Sequence, residues 1–208
     1  MSRRLGILIS GRGSNLQSII DAIRRGELDA EIAVVVSNRA EAAGLMRARE
    51  AGLQTACLLQ KDYASRELYD AAVAQVLRAN RVDLVCRAGF MRLVGEPLLR
   101  AFPDRILNIH PSLLPSFPGL DAQRQALEYG VKMSGATVHL VNAELDGGAV
   151  VLQAAVPVLD TDTVESLSAR ILVEEHRLYP RAIGLVLEAN WSLAGRRFVA
   201  GATPVGGN

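Results

Sequence analysis

Two periodicities alternate along the first half of this chain. Leu5-Gly6-Ile7-Leu8-Ile9-Ser10 is a compact apolar run that closes in Gly11-Arg12-Gly13-Ser14-Asn15, after which Leu16, Ile19, Ile20 and Ile23 recur at helical spacing. Strand, glycine turn and helix follow in that order. Glu31 to Ser37 reads as a second strand, Ala43 to Ala51 as a helix stopped by Gly52, and Thr55 to Leu59 as a third strand. A helix from about Ser65 to Ala79 is expected to turn Leu68, Ala72, Val76 and Ala79 inward, and Val82 to Cys86 is a buried strand. Repeated β-α-β units bring successive strands back in the same direction, so they build a parallel sheet with helices covering both faces. The expected class is α/β, doubly wound and mostly parallel.

The pattern changes after residue 130. Gly135 to Val141 and Ala149 to Val158 are strand-like segments joined by Asn142 to Gly148, which predicts a C-terminal antiparallel hairpin with a long loop. Thr163 or Asp162 can cap a helix whose Leu167, Ile171, Leu172 and Leu178 face inward, with Pro180 marking a break before another turn or two. Residues 1–190 are expected to form one domain. Residues 191–208, glycine-rich from Gly195, read as a weakly ordered tail.

Half of the 208 residues are apolar and 22% are charged, enough for a proper core. The formal charge of +1 gives no electrostatic footprint for nucleic acid or an anionic membrane. Cys57 and Cys86 lack C-x-x-C spacing and only three histidines are present, so no metal is expected. The apolar run at the amino terminus is too short for a signal peptide or a membrane span, which predicts a cytoplasmic protein.

Candidate chemistry sits at Asn108-Ile109-His110-Pro111, answered by Asp146 in Leu145-Asp146-Gly147-Gly148. On a strand, Asn108 and His110 point to one face and Ile109 to the other. An Asn amide can donate to a developing oxyanion and a His can move protons near neutral pH, which suits attack by an amine on an acyl group. Pro111 and Pro115 end the strand directly after the imidazole, where α/β proteins place their sites. An ordinary strand end, with both side chains satisfied locally, fits the same spacing.

Gly11-x-Gly13 before a helix resembles a dinucleotide turn, but position 16 is Leu16 and no acidic residue closes the second strand. What remains are backbone N–H groups, the Ser14 hydroxyl and the Asn15 amide at a helix N-terminus, suited to a single phosphate. A tight turn capped by Ser14 or Asn15 is the alternative. His139 on its strand is expected to be a packed structural residue, and His176 structural or solvent-facing.

Taken together, these residues resemble the phosphoribosylglycinamide formyltransferases of purine synthesis, which use 10-formyltetrahydrofolate. The matching segments are Ile9 to Gln17, Val36-Ser37-Asn38, Ala88 to Arg92, Asn108 to Pro115, Val138-His139, Leu145 to Gly148 and Glu175 to Pro180. The resemblance implies that Asn108, His110 and Asp146 are catalytic, with Asp146 raising the histidine's pKa and orienting it. It implies that Gly13, Ser14 and Asn15 hold the substrate phosphate, near Leu172, and that Glu175 binds its ribose or glycinamide portion. Arg66 would meet a folate carboxylate, though pairing with Asp62 or Asp70 is open to it. Met91, Arg92, Leu93 and Val94, with Asn108 and the loop Asn142, Ala143, Glu144, Leu145 and Asp146, would line the folate cleft; Met91 could also be core.

The resemblance is not complete. Position 87 is usually leucine in that family, whereas Arg87 brings a charge beside the folate cleft. Asp121 and Gln123 stand where many members have histidines, Leu172 where they have a polar residue, and Ala149 replaces a common proline. The implied activity is formyl transfer from 10-formyltetrahydrofolate to 5-phosphoribosylglycinamide without a metal, by a monomer or weak homodimer. Hydrolysis of the same folate is the rival, although such hydrolases carry an extra amino-terminal domain and the first strand here begins at Leu5. Formylation of initiator tRNA lacks a basic face, and a noncatalytic phosphosugar-binding module is the reading from another class.

Overall fold

A computed structural model describes residues 3–188 and 190–201. The elements are β1 (Arg4–Ile9), α1 (Ser14–Arg24), β2 (Glu31–Ser37), α2 (Ala43–Glu50), β3 (Thr55–Cys57), α3 (Arg66–Ala79), β4 (Leu84–Arg87), α4 (Glu96–Ala101), β5 (Ile106–His110), α5 (Ala122–Tyr129), β6 (Met133–Leu140), β7 (Val150–Pro157), α6 (Val164–Leu187), β8 (Trp191–Ala194) and β9 (Arg197–Ala200). They form a nine-stranded sheet in the order β3-β2-β1-β4-β5-β6-β7-β9-β8. Pairing is parallel from β3 through β5 and antiparallel at β5–β6 and β6–β7. This is the expected doubly wound sheet with its antiparallel hairpin.

Strand order reverses between β1 and β4, which carry their onward connections to opposite sides. A crevice therefore opens beyond their carboxyl ends, where open α/β sheets bind ligands. The turn after β1 and the segment after β4 meet there: the Ser10 N–H donates to the Gly89 carbonyl at 3.1 Å, and the Met91 N–H to Ser10 Oγ at 2.9 Å.

Side-chain alternation divides the core into two layers. Ile7, Ile9, Cys86, Leu107 and Ile109 pack with Leu16, Ile19, Tyr179 and Ile183 of α1 and α6. Leu8, Val34, Val36, Val85 and Ile106 pack with Tyr69, Val73, Leu77 and Leu98 of α3 and α4. Each such aliphatic side chain contributes roughly 1.5–3 kcal/mol by leaving water. Ile106 faces the second layer, so Asn108 and His110, two and four residues on, face that side too.

Three expectations need correction. The inward face of α3 is Tyr69, Val73, Ala74 and Leu77, while Leu68 is exposed. Both stripes are apolar and the bulkier one is buried. Pro180 does not break α6, which continues to Leu187, because Ala182, Ile183 and Val186 bury their side chains beyond it. The stretch read as a weakly ordered tail begins with the β8–β9 hairpin, whose Trp191 and Phe198 rings lie 5.0 Å apart. Trp191 Nε1 also donates to the Val186 carbonyl at 2.9 Å. The remainder of that tail, 202–208, lies outside the described residues.

Candidate active site

β5 ends at His110, and the chain leaves the sheet at Pro111 as expected. The buried His110 ring lies between two oxygen acceptors: Nε2 is 2.8 Å from the Phe117 carbonyl and Nδ1 is 3.4 Å from Asp146 Oδ2. A neutral imidazole has one N–H and can satisfy only one of them; an imidazolium satisfies both. Burial pushes the His110 pKa down, the Phe117 carbonyl and the Asp146 charge push it up, and the net shift is below its ordinary 6.5. The sequence reading expected Asp146 to raise it. That contribution has the expected sign but desolvation outweighs it.

Asp146 comes from the β6–β7 loop with φ 48°. Its Oδ2 accepts the Gly119 N–H at 2.9 Å. Burial pushes its carboxyl up, but His139, the Gly119 N–H and His110 together bring it down to about 2. Asp146 is therefore an anion throughout the physiological range. Phe117, which presents its carbonyl to His110, and Asp121 at the head of α5 also have positive φ. Left-handed backbone at non-glycine residues is costly, and here three instances surround one side-chain cluster.

His139, expected to be a packed structural residue, is buried and hydrogen-bonded, and its place is within this cluster. It pairs with Asn108 across β5 and β6. Its Nδ1 is 2.9 Å from the Leu140 carbonyl, which takes the N–H and leaves Nε2 to accept from Asn108 Nδ2 at 3.1 Å. Nε2 is also 3.6 Å from Asp146 Oδ1. Asn108 Nδ2 has a second, looser contact to Asp146 Oδ1 at 3.5 Å. The available signal was register: a β6 residue directly opposite Asn108 must share its face.

The turn after β1 leads into α1. Gly13, with φ 72°, heads that helix, and among the described residues no side chain caps it, so capping by Ser14 or Asn15 is not observed. A Cβ at Gly13 would stand 2.7 Å from Gly44 Cα, so the turn packs on α2 by backbone contact. Arg47 Nε donates to the Arg12 carbonyl at 2.9 Å and holds the turn from outside.

Asn15 Nδ2 donates to Glu175 Oε2 at 2.8 Å, leaving Asn15 Oδ1 buried without a partner. Burial raises the Glu175 carboxyl above its ordinary range, opposed by the Asn15 bond and the Arg12 charge. A cleft of about 510 Å³ joins Ser14, Asn15, Leu172, Glu175 and Gln123 to Ala88 and Met91 of the neighbouring segment. Leu172, expected among the inward residues, lines this cleft instead.

The expected folate-lining residues divide. Met91 and Leu93 are 68% and 52% exposed, as is much of Leu145, whereas Val94 is buried beside Phe90 and Leu98. Arg92 lies over the Tyr69 ring at 4.5 Å and bonds Gln60. Arg66, at the head of α3, is 4.0 Å from Asp70 and half exposed. In the β6–β7 loop Asn142 Oδ1 accepts the Glu144 N–H at 3.0 Å, Ala143 is exposed, and Arg196 reaches Glu144 at 3.2 Å. Arg87 points inward. Among the described residues no group of three His, Cys, Asp or Glu side chains could hold a metal, and no helix is long and apolar enough to cross a membrane.

The fold and site define the class as a doubly wound α/β protein with a buried Asn-His-Asp cluster at the carboxyl end of its parallel strands. The chain belongs to the formyl transferase family, whose model matches residues 3–183. It is 44% identical to a phosphoribosylglycinamide formyltransferase of Haemophilus influenzae over 87% of this chain and 85% of that protein. A glycinamide ribonucleotide transformylase 1 structure from Symbiobacterium toebii superimposes with TM-score 0.94 at 58% identity, covering 96% and 94% of the two chains. A trifunctional purine biosynthetic protein adenosine-3 of Drosophila melanogaster is 49% identical over 89% of this chain. The chain spans only 14% of that longer protein.

Proposed function

We propose that this chain transfers the formyl group of 10-formyltetrahydrofolate to the amine of 5-phosphoribosylglycinamide in purine (IMP) biosynthesis, by direct attack through a tetrahedral adduct. The observation that carries this reading is the approach of His110 to Asp146 at 3.4 Å, at the same carboxyl end of the parallel strands from which the turn into α1 departs. Residues 1–190 act as one catalytic unit, in the cytoplasm, as a monomer or weak homodimer.

The residues present fit both substrates. Gly13, Ser14 and Asn15 take the phosphate through N–H groups and the helix dipole, and Glu175 meets the ribose or glycinamide. Leu172 lines the wall on that side. Exposed Met91, Leu93 and Leu145 offer an apolar surface to the folate rings, with Arg92 and backbone of Asn142, Ala143 and Glu144 at the rim and Arg66 free to meet a carboxylate. Val94 supports that segment from beneath. The folate supplies the activated formyl carbon and a nitrogen leaving group.

Both ring nitrogens of His110 meet protein oxygens, so to take the proton that the attacking amine releases the neutral ring turns its looser side, Nδ1 at 3.4 Å from Asp146, to the amine or a held water. The imidazolium is then held between the Phe117 carbonyl and Asp146. Asn108 keeps one amide hydrogen on His139, and the other, only loosely held by Asp146, turns to the formyl oxygen as its charge grows. His110 returns the proton to the leaving nitrogen. Formylfolate and phosphoribosylglycinamide mixed with the purified protein test this reading: consumption of the folate only when the glycinamide is present supports it, and equal consumption in its absence establishes a hydrolase.

A further inference from the structure

Arg87 has no part in the chemistry described above, yet it is 9% exposed at the end of β4. Burying an arginine is costly unless its donors find acceptors, and here Nε is buried without one while Nη2 is satisfied. Its Nη2 donates to the Phe90 carbonyl at 3.0 Å and to the Arg92 carbonyl at 2.6 Å. Both carbonyls belong to the segment that carries Met91 into the cleft and leaves Leu93 exposed. Parallel pairing places Arg87 opposite Asn108, and antiparallel pairing places Asn108 opposite His139. Three polar residues thus stand in one row across adjacent strands. Tyr179 fixes the row from the other side, its hydroxyl donating to the carbonyls of Arg87 at 3.0 Å and Leu107 at 3.2 Å.

We propose that Arg87 is a positioning residue for formyl transfer: it ties the folate-facing segment into shape and sets a permanent positive charge beside the Asp146–His110 pair. The inference rests on the formyl-transfer reading and deepens it. The first part follows from geometry. Residues 89–92 leave the sheet as irregular backbone around Gly89 at φ 81°, and Arg87 gathers two of their carbonyls with one nitrogen while Ser10 holds the Met91 N–H. Nη2 lies one bond farther along the side chain than a lysine Nζ, so Arg87→Lys keeps the charge while its ammonium falls short of the two carbonyls.

The second part concerns the charge. Burial is the largest effect on His110 and opposes its protonation; the Phe117 carbonyl and the Asp146 charge favour it, and His139 and Arg87 oppose it. Burial also lowers the Arg87 pKa, partly offset by Tyr179 and Asp146. Arg87, one strand from Asn108, thus adds to burial in keeping the imidazole neutral, ready to accept a proton from the amine.

Steady-state kinetics of Arg87→Leu and Arg87→Lys against the parent, with both substrates varied and the pH profile recorded, test this. Arg87→Leu is expected to raise the formylfolate KM about tenfold, the scale of hydrogen bonds lost from a charged donor, and leave the glycinamide KM within about twofold. Its acid limb should move to higher pH, since a neighbouring positive charge has gone. Arg87→Lys should keep the parent's acid limb while still raising the folate KM. Should Arg87→Leu fail to fold, Arg87→Lys decides alone: a selective rise in folate KM with the limb unmoved supports the inference. Equal changes in both KM values, or parental folate KM in both variants, overturn it. An active parent with such results overturns this inference alone, whereas a parent without glycinamide-dependent turnover overturns the formyl-transfer reading beneath it.

Discussion

His139 Nε2 accepts the Asn108 side-chain N–H at 3.1 Å across β5 and β6, while its own N–H is spent on the Leu140 carbonyl at 2.9 Å. The tautomer of His139 is set by its own strand, and the Asn108 amide is oriented in turn. Replacing His139 with Leu removes that acceptor and lets the amide rotate. The expected result is a loss of about tenfold in kcat, the scale of one hydrogen bond in the transition state, with little change in either KM. Initial rates of formylfolate consumption measure it, and an unchanged kcat would remove His139 from the site.

The pH dependence follows from two groups with opposite tasks. Burial holds His110 below 6.5, so the neutral base predominates at pH 7, and kcat/KM should stay level above 7 and fall as the ring protonates at more acid pH. Asp146→Asn removes a charge that raises the His110 pKa. The acid limb should then move to lower pH as kcat drops; a limb moving upward would contradict the assignment.

The same shifts bear on stability. His110 binds its proton more readily in the unfolded chain, so its contribution is present above about 6.5 and declines as pH falls below that value. Asp146, brought down to about 2 from 3.8, contributes above 3.8 and loses that contribution as pH falls toward 2. Urea midpoints measured from pH 8 to pH 3 should therefore decrease toward acid; an increase would reverse the assigned signs.

Gly13 is required twice, by its φ of 72° and by the approach of Gly44. Gly13→Ala should destabilise the fold by more than about 1 kcal/mol and raise the KM for phosphoribosylglycinamide, leaving the formylfolate KM nearly unchanged. Thermal unfolding and steady-state kinetics read the two effects. A rise in folate KM alone would move the phosphate elsewhere.

Thr163 closes a capping box with Ser166 at the head of α6: each side chain accepts the other's backbone N–H, at 3.2 and 2.9 Å. Thr163→Ala should cost about 1 kcal/mol of stability with parental kcat. A Tm unchanged within error would show that the cap contributes nothing.

The alternation of apolar runs and amphipathic helices made the sheet, its parallel order and its antiparallel hairpin legible from sequence, because strand and helix periods differ enough to be separated. Asn108 and His110 on one face followed from the same period. The inward face of α3 did not, since two adjacent apolar stripes compete and only packing against β2 and β4 chooses between them. The helix α4, opened by Gly95 and Pro97, is too short at 6 residues to show a helical period. Glycine richness after Gly195 concealed the β8–β9 hairpin, in which Trp191 and Phe198 pair across a turn at φ 62°. His139 and the inward course of Arg87 were hidden for a shared reason: each depends on the register between strands distant in sequence.

His110→Ala tests the central claim most directly, measured as single-turnover formyl transfer beside equilibrium binding of phosphoribosylglycinamide. Turnover should fall by about two orders of magnitude or more, the scale of general acid–base catalysis, with the phosphosubstrate still bound at near-parental affinity. Near-parental turnover in that variant would contradict the account.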